Sequence, residues 1–138
     1  LFNPRQYRRF CMPVLRAVLD EFAPLPGGWR YQHSDSAMAH HLDAQRELGI
    51  REVNYGPEIA PGLIRERLPE AVIDGHMPPF LLRNGAPEEI RARVRNDFAA
   101  AGAGGRLKIA TAGSIPAGTG LGRLRWLMRC VQEETRYR

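Results

Sequence analysis

The first part of the chain has the apolar spacing of one amphipathic helix. Asn3 is a capping residue and Pro4 is tolerated in a first helical turn, so a helix is predicted to begin there. Apolar residues then recur every three or four positions, at Tyr7, Phe10, Cys11, Val14, Val18 and Phe22. Pro13 lies within this run and is expected to kink or restart the helix, which the turn-forming segment 24–28 ends.

Four short segments further along the chain predict β-strands, because each is rich in aromatic or β-branched residues and is bounded by turn residues. They cover residues 29–33, 52–55, 71–74 and 106–111. A helical pattern follows each strand, and the predicted helices begin near residues 36, 61, 87 and 121. The chain therefore reads as one helix followed by four strand–helix units.

This alternation determines the fold class. Strands separated by helices form parallel sheets with right-handed crossovers, so we expect an α/β fold. A chain of 138 residues is long enough for one compact domain and too short for two. Two architectures fit the order of elements: a small doubly wound sheet, or half of an eight-stranded barrel.

Composition and charge narrow the possible functions. Hydrophobic residues make up 43% and charged residues 25% of the chain, as in ordinary globular domains. The net charge of +5 comes almost entirely from arginines dispersed among acidic residues, with Lys108 as the single lysine. Because no basic block is present, we do not expect a nucleic-acid partner. No apolar run approaches the ~20 residues that a membrane span requires, so we do not expect membrane insertion either.

The first residues and the two cysteines indicate the cellular setting of the protein. The first residues include neither an initiator methionine nor the pattern of a signal peptide. We therefore expect a cytoplasmic protein whose N-terminal half is absent from this sequence. Cys11 and Cys130 both lie in apolar helical patterns, and we expect them to be free thiols.

Polar residues at the carboxyl ends of the predicted strands are the candidate site, because barrel enzymes place their chemistry there. They are His33, Asp35, Asn54, Tyr55, Glu58, His76, Thr111 and Ser114. Two of them have structural alternatives. Asp35 lies in the run Ser34-Asp35-Ser36, which is also a good helix cap, and His76 beside Pro78 is also a plausible turn residue.

Several segments in order resemble the uroporphyrinogen decarboxylase superfamily, which includes the corrinoid-dependent methyltransferases. Residues 1–18 resemble the helix before the fifth strand of that barrel, and residues 47–50 resemble a later helix end. Residues 33–36 lie where the methyltransferases have His-x-Cys-Gly, and residues 74–79 where the family has Gly-Asn-x-Asp-Pro. Residues 85–90 resemble its Gly-Thr-Pro-Glu-Glu-Ile helix start, and residues 112–116 occupy the position of Gly-Cys-x-Ile-Pro or Gly-His-Gly.

The resemblance implies a fold and an activity. It implies the C-terminal half of a (β/α)8 barrel spanning residues 1–138, about the last two fifths of such an enzyme. His33 and Ile115-Pro116 match the methyltransferase branch, so the implied reaction is methyl transfer between a small substrate and a corrinoid carried by a partner protein. Uroporphyrinogen decarboxylation in haem biosynthesis, which needs no cofactor, is the alternative, and a non-catalytic fragment of the fold is a third.

The resemblance also implies site residues. In the methyltransferase branch one His and two Cys hold a zinc ion, whereas this chain has His33, Asp35 and Ser114 at those positions. We therefore predict His33, Asp35 and Ser114 as catalytic residues and Asn54, Tyr55 and His76 as substrate-binding residues. If zinc binds, His33, Asp35 and Glu58 are the predicted ligands.

A half barrel has two open sheet edges and an uncovered interior face. We expect that interior face to carry Val53, Ile73 and Ile109. Open edges and exposed apolar faces favour association, so a homo-oligomer is expected.

Overall fold

The computed structural model describes residues 2–27 and 29–136, so Gly28 of the predicted helix end lies outside the described residues. The helical segment begins as predicted: Asn3 and Gln6 form a reciprocal capping box, with Asn3 Oδ1 accepting from the Gln6 backbone N–H at 2.9 Å. Helix α1 (Pro4–Gln6) continues into a π-helical stretch (Tyr7–Cys11) and then into α2 (Met12–Phe22). Pro13 occupies the first turn of α2, so the predicted restart is confirmed.

Four parallel strands form one sheet in chain order. They are β1 (Tyr31–Ser34), β2 (Glu52–Tyr55), β3 (Val72–Asp74) and β4 (Leu107–Lys108). Each strand pairs with its predecessor in parallel register, and the predicted bounds of β2 are confirmed. The fourth strand is shorter than the predicted 106–111. Beyond Lys108, backbone hydrogen bonds between residues 75–77 and 110–112 and an isolated bridge from Thr111 to Met77 continue the pairing less regularly.

Five α-helices follow the first strand. They are α3 (Leu42–Glu47), α4 (Pro61–Arg67), α5 (Pro79–Asn84), α6 (Pro87–Ala101) and α7 (Leu121–Glu134). Prolines open α4 and α6 as predicted, and Gly102 ends α6. Helix α5 was not predicted, because Pro78 and Pro79 suggested a turn, whereas Pro79 opens a helix.

The predicted cap at Ser34-Asp35-Ser36 is wrong. The next helical turn is a 3₁₀ turn that begins only at Ala39, and no side chain caps it. The Ser34 hydroxyl instead accepts from the Ser36 backbone N–H at 3.2 Å, which keeps this segment in a local turn. Asp35 is therefore free of a capping role.

The helices pack on one face of the sheet. Val53, Tyr55 and Ile73 are fully buried on this face, in a cluster with side chains from the N-terminal segment and from α3, α4 and α6. The cluster also contains Met12, Leu42, Leu48, Ile64, Leu68 and Ala101. The expectation that Val53, Ile73 and Ile109 face the barrel interior is wrong, because the apolar strand positions are the ones that the helices cover.

A second apolar cluster joins α5, α6 and α7. It consists of Met77, Leu82, Ile90, Val94, Leu127 and Cys130. Cys11 and Cys130 are both free, as predicted. Arg65 of α4 ties the helix layer to the sheet, since its guanidinium donates to the carbonyls of Ala71 at 2.7 Å and Arg106 at 2.9 Å.

The opposite face of the sheet follows from the strand alternation. Successive side chains point to opposite faces, so one face carries Tyr31, His33, Glu52, Asn54, Asp74 and Lys108, with Val72 as its aliphatic member, and these point away from the apolar clusters. We call this the polar face. The four units thus form a consecutive part of a (β/α) barrel, with helices outside and polar side chains inside.

Apolar side chains also remain exposed on α2 and the stretch before it. Phe10, Val14, Val18 and Phe22 recur at four-residue spacing and are all at least half exposed. A cavity of about 510 Å³ lies between this segment and the outer side of β1, lined mainly by apolar residues. Within residues 2–27 and 29–136, no helix is long and apolar enough to cross a membrane.

Candidate functional site

His33 and Asp35 form the centre of the candidate site at the carboxyl end of β1. His33 lies on the polar face and Asp35 is two residues further along the chain, so both side chains can reach the same side. The His33 Nε2 and Asp35 Oδ1 atoms are 3.5 Å apart. Their side chains are 50% and 67% exposed, which leaves the pair accessible to a ligand. The two side chains therefore lie side by side at the end of the strand.

The loop after β4 reaches the same place, although β1 and β4 are the two outer strands of the sheet. Gly113 has a φ of +100°, and a Cβ there would lie 2.7 Å from Asp35 Oδ1, so the carboxylate rests directly on the glycine. Ser114 follows and is exposed. The Thr111 hydroxyl fixes this loop by donating to the Gly113 carbonyl at 2.6 Å. The structure thus brings the three predicted catalytic positions to one rim.

Asn54 of β2 links the loop after β4 to the sheet. Its side-chain amide donates to the Thr111 carbonyl at 3.1 Å, while its Oδ1 atom is buried and has no hydrogen-bond partner among the described residues. Asn54 lies opposite His33 in the register of β1 and β2. Its predicted place beside the catalytic pair agrees with this geometry.

Tyr55 and His76 do not lie at the surface, where a substrate-binding residue would have to be. Both are fully buried, Tyr55 on the helix-covered face and His76 just after β3. The Tyr55 hydroxyl has no partner among the described residues, and burial raises its pKa. Substrate binding by either side chain has no geometric support here, because neither reaches the surface of the rim.

His76 belongs to a buried polar group behind the rim. Burial and the Arg93 guanidinium both lower the pKa of the His76 imidazole, so the neutral form is favoured. Arg93 donates to the His76 backbone carbonyl at 3.1 Å and pairs with Asp97 at 2.8 Å. Burial raises the pKa of the Asp97 carboxyl in spite of Arg93. This group joins the strand end to α6.

Glu58 does not join His33 and Asp35. Its carboxylate folds back over Gly56, at the position where a side chain on that glycine would lie. Among residues 2–27 and 29–136, no three His, Cys, Asp or Glu side chains are close enough together to hold a metal ion. A catalytic zinc site requires three protein ligands, so the predicted set of His33, Asp35 and Glu58 does not fit zinc in this arrangement.

The polar face contains charged residues that the sequence analysis did not select. Glu52 Oε1 pairs with Lys108 Nζ at 2.6 Å, and Glu52 Oε2 accepts from Trp29 Nε1 at 2.6 Å. Burial, and then the negative charge of Glu52, raise the pKa of the Asp74 carboxyl. The alternation of polar and apolar residues within β2 was the signal that could have identified this face.

Comparison with known proteins identifies the family. A family model described as uroporphyrinogen decarboxylase (URO-D) matches residues 1–134. The chain belongs to the URO-D family. A solved structure described as a methyltransferase from Methanosarcina mazei matches 96% of the chain with a TM-score of 0.78 and 18% sequence identity. At this identity the match shows the fold of the URO-D chain, and no curated protein matches it.

The extent of the match is also informative. The chain covers 38% of the length of the Methanosarcina mazei methyltransferase. Together with the four parallel strands in chain order, this confirms the expected fold class, a consecutive part of a (β/α) barrel. The family and an enzyme fold are therefore established.

Proposed function

We propose that this chain carries the His33–Asp35 site of a methyltransferase in the URO-D family, which transfers a methyl group between a small substrate and a corrinoid on a partner protein. The observation that carries the proposal is the 3.5 Å approach of His33 Nε2 to Asp35 Oδ1 at the carboxyl edge of a parallel sheet. The structural similarity to a methyltransferase supports it. The exposure of both side chains is also suited to a methyl donor that arrives on another protein.

The pair can move a proton. An imidazole beside a carboxylate is a general base whose orientation the carboxylate can fix. With a thiol substrate, His33 would take the thiol proton as the sulfur forms its bond to the methyl carbon. The corrinoid of the partner protein would supply the methyl group and would keep the electron pair of its bond to the methyl carbon. Gly113 would hold Asp35 in position during this step, because it leaves room for the carboxylate.

Zinc remains a separate prediction. In methyl transfer zinc would supply Lewis-acid activation of the substrate thiol. His33 and Asp35 are the two side chains of this chain that would contribute to such a site, and a third donor would have to come from elsewhere in the full-length protein.

The test is methyl transfer by the full-length protein that carries this chain. Methylcobalamin and a small thiol serve as donor and acceptor, and the visible spectrum of the corrinoid follows the reaction. His33→Ala should abolish transfer without changing the fold, measured by circular dichroism. His40→Ala is the matched control, because His40 is an exposed histidine in the 3₁₀ turn. Equal loss in both variants, or no loss in His33→Ala, would contradict the proposal.

Decarboxylation of uroporphyrinogen is the second candidate, and the family match favours it. In that case Ser114 and Asp35 would contact the substrate, and no corrinoid or metal would be needed. Incubating the same protein with uroporphyrinogen and measuring carbon dioxide release separates the two reactions. A protein that carries out neither reaction would be the non-catalytic form of the fold.

A further inference from the structure

The polar face carries a continuous row of hydrogen-bonding side chains at the carboxyl ends of all four strands. The strand register pairs His33 with Asn54 and Asp74 with Lys108. Because laterally paired residues of parallel strands point to the same face, the four side chains line one surface. This surface adjoins the rim that holds Asp35 and lies where a barrel encloses its substrate.

The positive charges of this surface are already neutralised within the chain. Lys108 pairs with Glu52 at 2.6 Å, and the second oxygen of Glu52 accepts from Trp29. Asp74 has no ion pair within 4.0 Å among the described residues, and its side-chain contact is to the Tyr31 hydroxyl. The surface therefore keeps a carboxyl without an ion pair of its own, although the charges of Lys108 and His33 act on it and the whole chain has a net charge of +5.

The side chain of Asn54 indicates independently that this surface lacks a hydrogen-bond donor. The residue is 6% exposed, and its amide nitrogen is fixed by the Thr111 carbonyl. Its Oδ1 atom has no partner among the described residues. Buried acceptors in folded proteins are normally paired, so an unpaired one at a candidate site indicates a place for a donor group.

We propose that the polar face binds the substrate through a cationic or N–H donor group, which Asp74 and the Asn54 Oδ1 atom accept. The inference rests on the proposed function, since it assigns the surface to the substrate of that reaction. A hydrogen bond that involves a charged group is stronger than a neutral one, so Asp74 provides most of the selectivity. A polycarboxylate such as uroporphyrinogen would meet like charge at Asp74, so this surface favours a small donor-bearing substrate.

The test measures binding without any reaction. Ethylammonium, ethanol and acetate have similar size but different charge, and each is titrated into the full-length protein while NMR follows the Asn54 side-chain amide and the Asp74 carboxyl. Ethylammonium should bind saturably and about tenfold more tightly than acetate, the loss expected when a charge-assisted hydrogen bond becomes a repulsion. Asp74→Asn, which keeps the shape of the side chain, should remove this preference.

Glu66→Gln is the matched control, because Glu66 is an exposed carboxylate on the outside of α4. It should leave the affinity for ethylammonium unchanged. Equal binding of acetate and ethylammonium, no saturable binding, or an unchanged preference in Asp74→Asn would each overturn the inference. A protein that binds ethylammonium as expected but transfers no methyl group would retain this inference and lose the proposed function.

Discussion

The two faces of the sheet have opposite compositions, although single residues alternate between them. On the helix-covered face Val53 and Ile73 contribute to a continuous apolar cluster. On the polar face, their sequence neighbours Asn54 and Asp74 retain hydrogen-bonding groups that the protein itself does not fully satisfy. One face therefore supplies most of the stability and the other keeps the groups that can act on a ligand.

The strongest test of this comparison replaces two neighbouring residues of β3. Ile73→Ala should lower the free energy of unfolding by about 2–5 kcal/mol, because it leaves a cavity in a fully buried site. Asp74→Asn should change it by less than about 1 kcal/mol, since the side chain keeps its volume and is partly exposed. Urea unfolding measures both values. Similar losses in the two variants would contradict the division between the faces.

The next largest effect is a pH dependence of stability, which arises from His76 behind the polar face. Burial lowers the pKa of His76, so the unfolded chain binds a proton that the folded chain does not. Stability should therefore fall as the pH decreases below the unfolded value of about 6.5, by at most about 1.4 kcal/mol per pH unit. The carboxyls of Asp74 and Asp97, whose pKa values are raised, act in the opposite direction and nearer to pH 4.

His76→Asn removes one of two histidines whose pKa burial lowers, and should reduce the slope of the stability profile between about pH 7 and pH 5.5, while His41 keeps part of that slope. The comparison concerns the slope and not the absolute stability, which the substitution of a buried side chain also lowers. Chemical unfolding at several pH values provides the measurement. An unchanged slope in the variant would show that His76 does not contribute to the pH dependence.

Gly113 tests whether the rim is held in place by close packing. Gly113→Ala places a Cβ against Asp35 and adopts a left-handed backbone, with an expected loss of about 1–2 kcal/mol in stability. Activity should fall by about tenfold or more because Asp35 is displaced. Gly105→Ala is the control: it has a φ of +71° and open space around it, so it should lose similar stability and keep its activity.

The smallest effect on stability is expected on the exposed stripe of α2, although its effect on association should be clear. Val14 is 63% exposed, so Val14→Glu should change the free energy of unfolding by about 0.5 kcal/mol or less. If the chain forms homo-oligomers through this stripe, the charge should weaken them. Phe80→Glu on α5 is the control, because Phe80 is 66% exposed and lies away from α2. Analytical ultracentrifugation distinguishes the two variants.

Local patterns predicted much of the fold. The strand Glu52–Tyr55, the proline-initiated helix Pro87–Ala101 and the parallel order all follow from periodicity and from the chemistry of the helix ends. Periodicity did not predict which face of the sheet the helices cover. The alternation in β2 shows only that the two faces differ. The helix side became apparent only from the tertiary packing of Val53 and Ile73.

The candidate site could be predicted only in part, because the position of a residue along the chain does not show which way its side chain turns. His33, Asp35 and Ser114 could be selected because they follow strand ends, and they do lie on one rim. His76 also follows a strand, but it turns inward and is buried, which depends on contacts with residues far away in the sequence. Asp74 was overlooked because a lone carboxylate that ends a strand has no motif of its own.

The strand order also affects how the protein can be built during synthesis. Because β1, β2, β3 and β4 pair in chain order, each strand after β1 meets a partner that has already left the ribosome. No strand has to wait for a later segment to be inserted beside it, as happens in sheets of mixed order. The loops to be closed are those of single strand–helix units, so their closure entropy is small. Growth of the sheet can therefore keep pace with translation, one unit at a time.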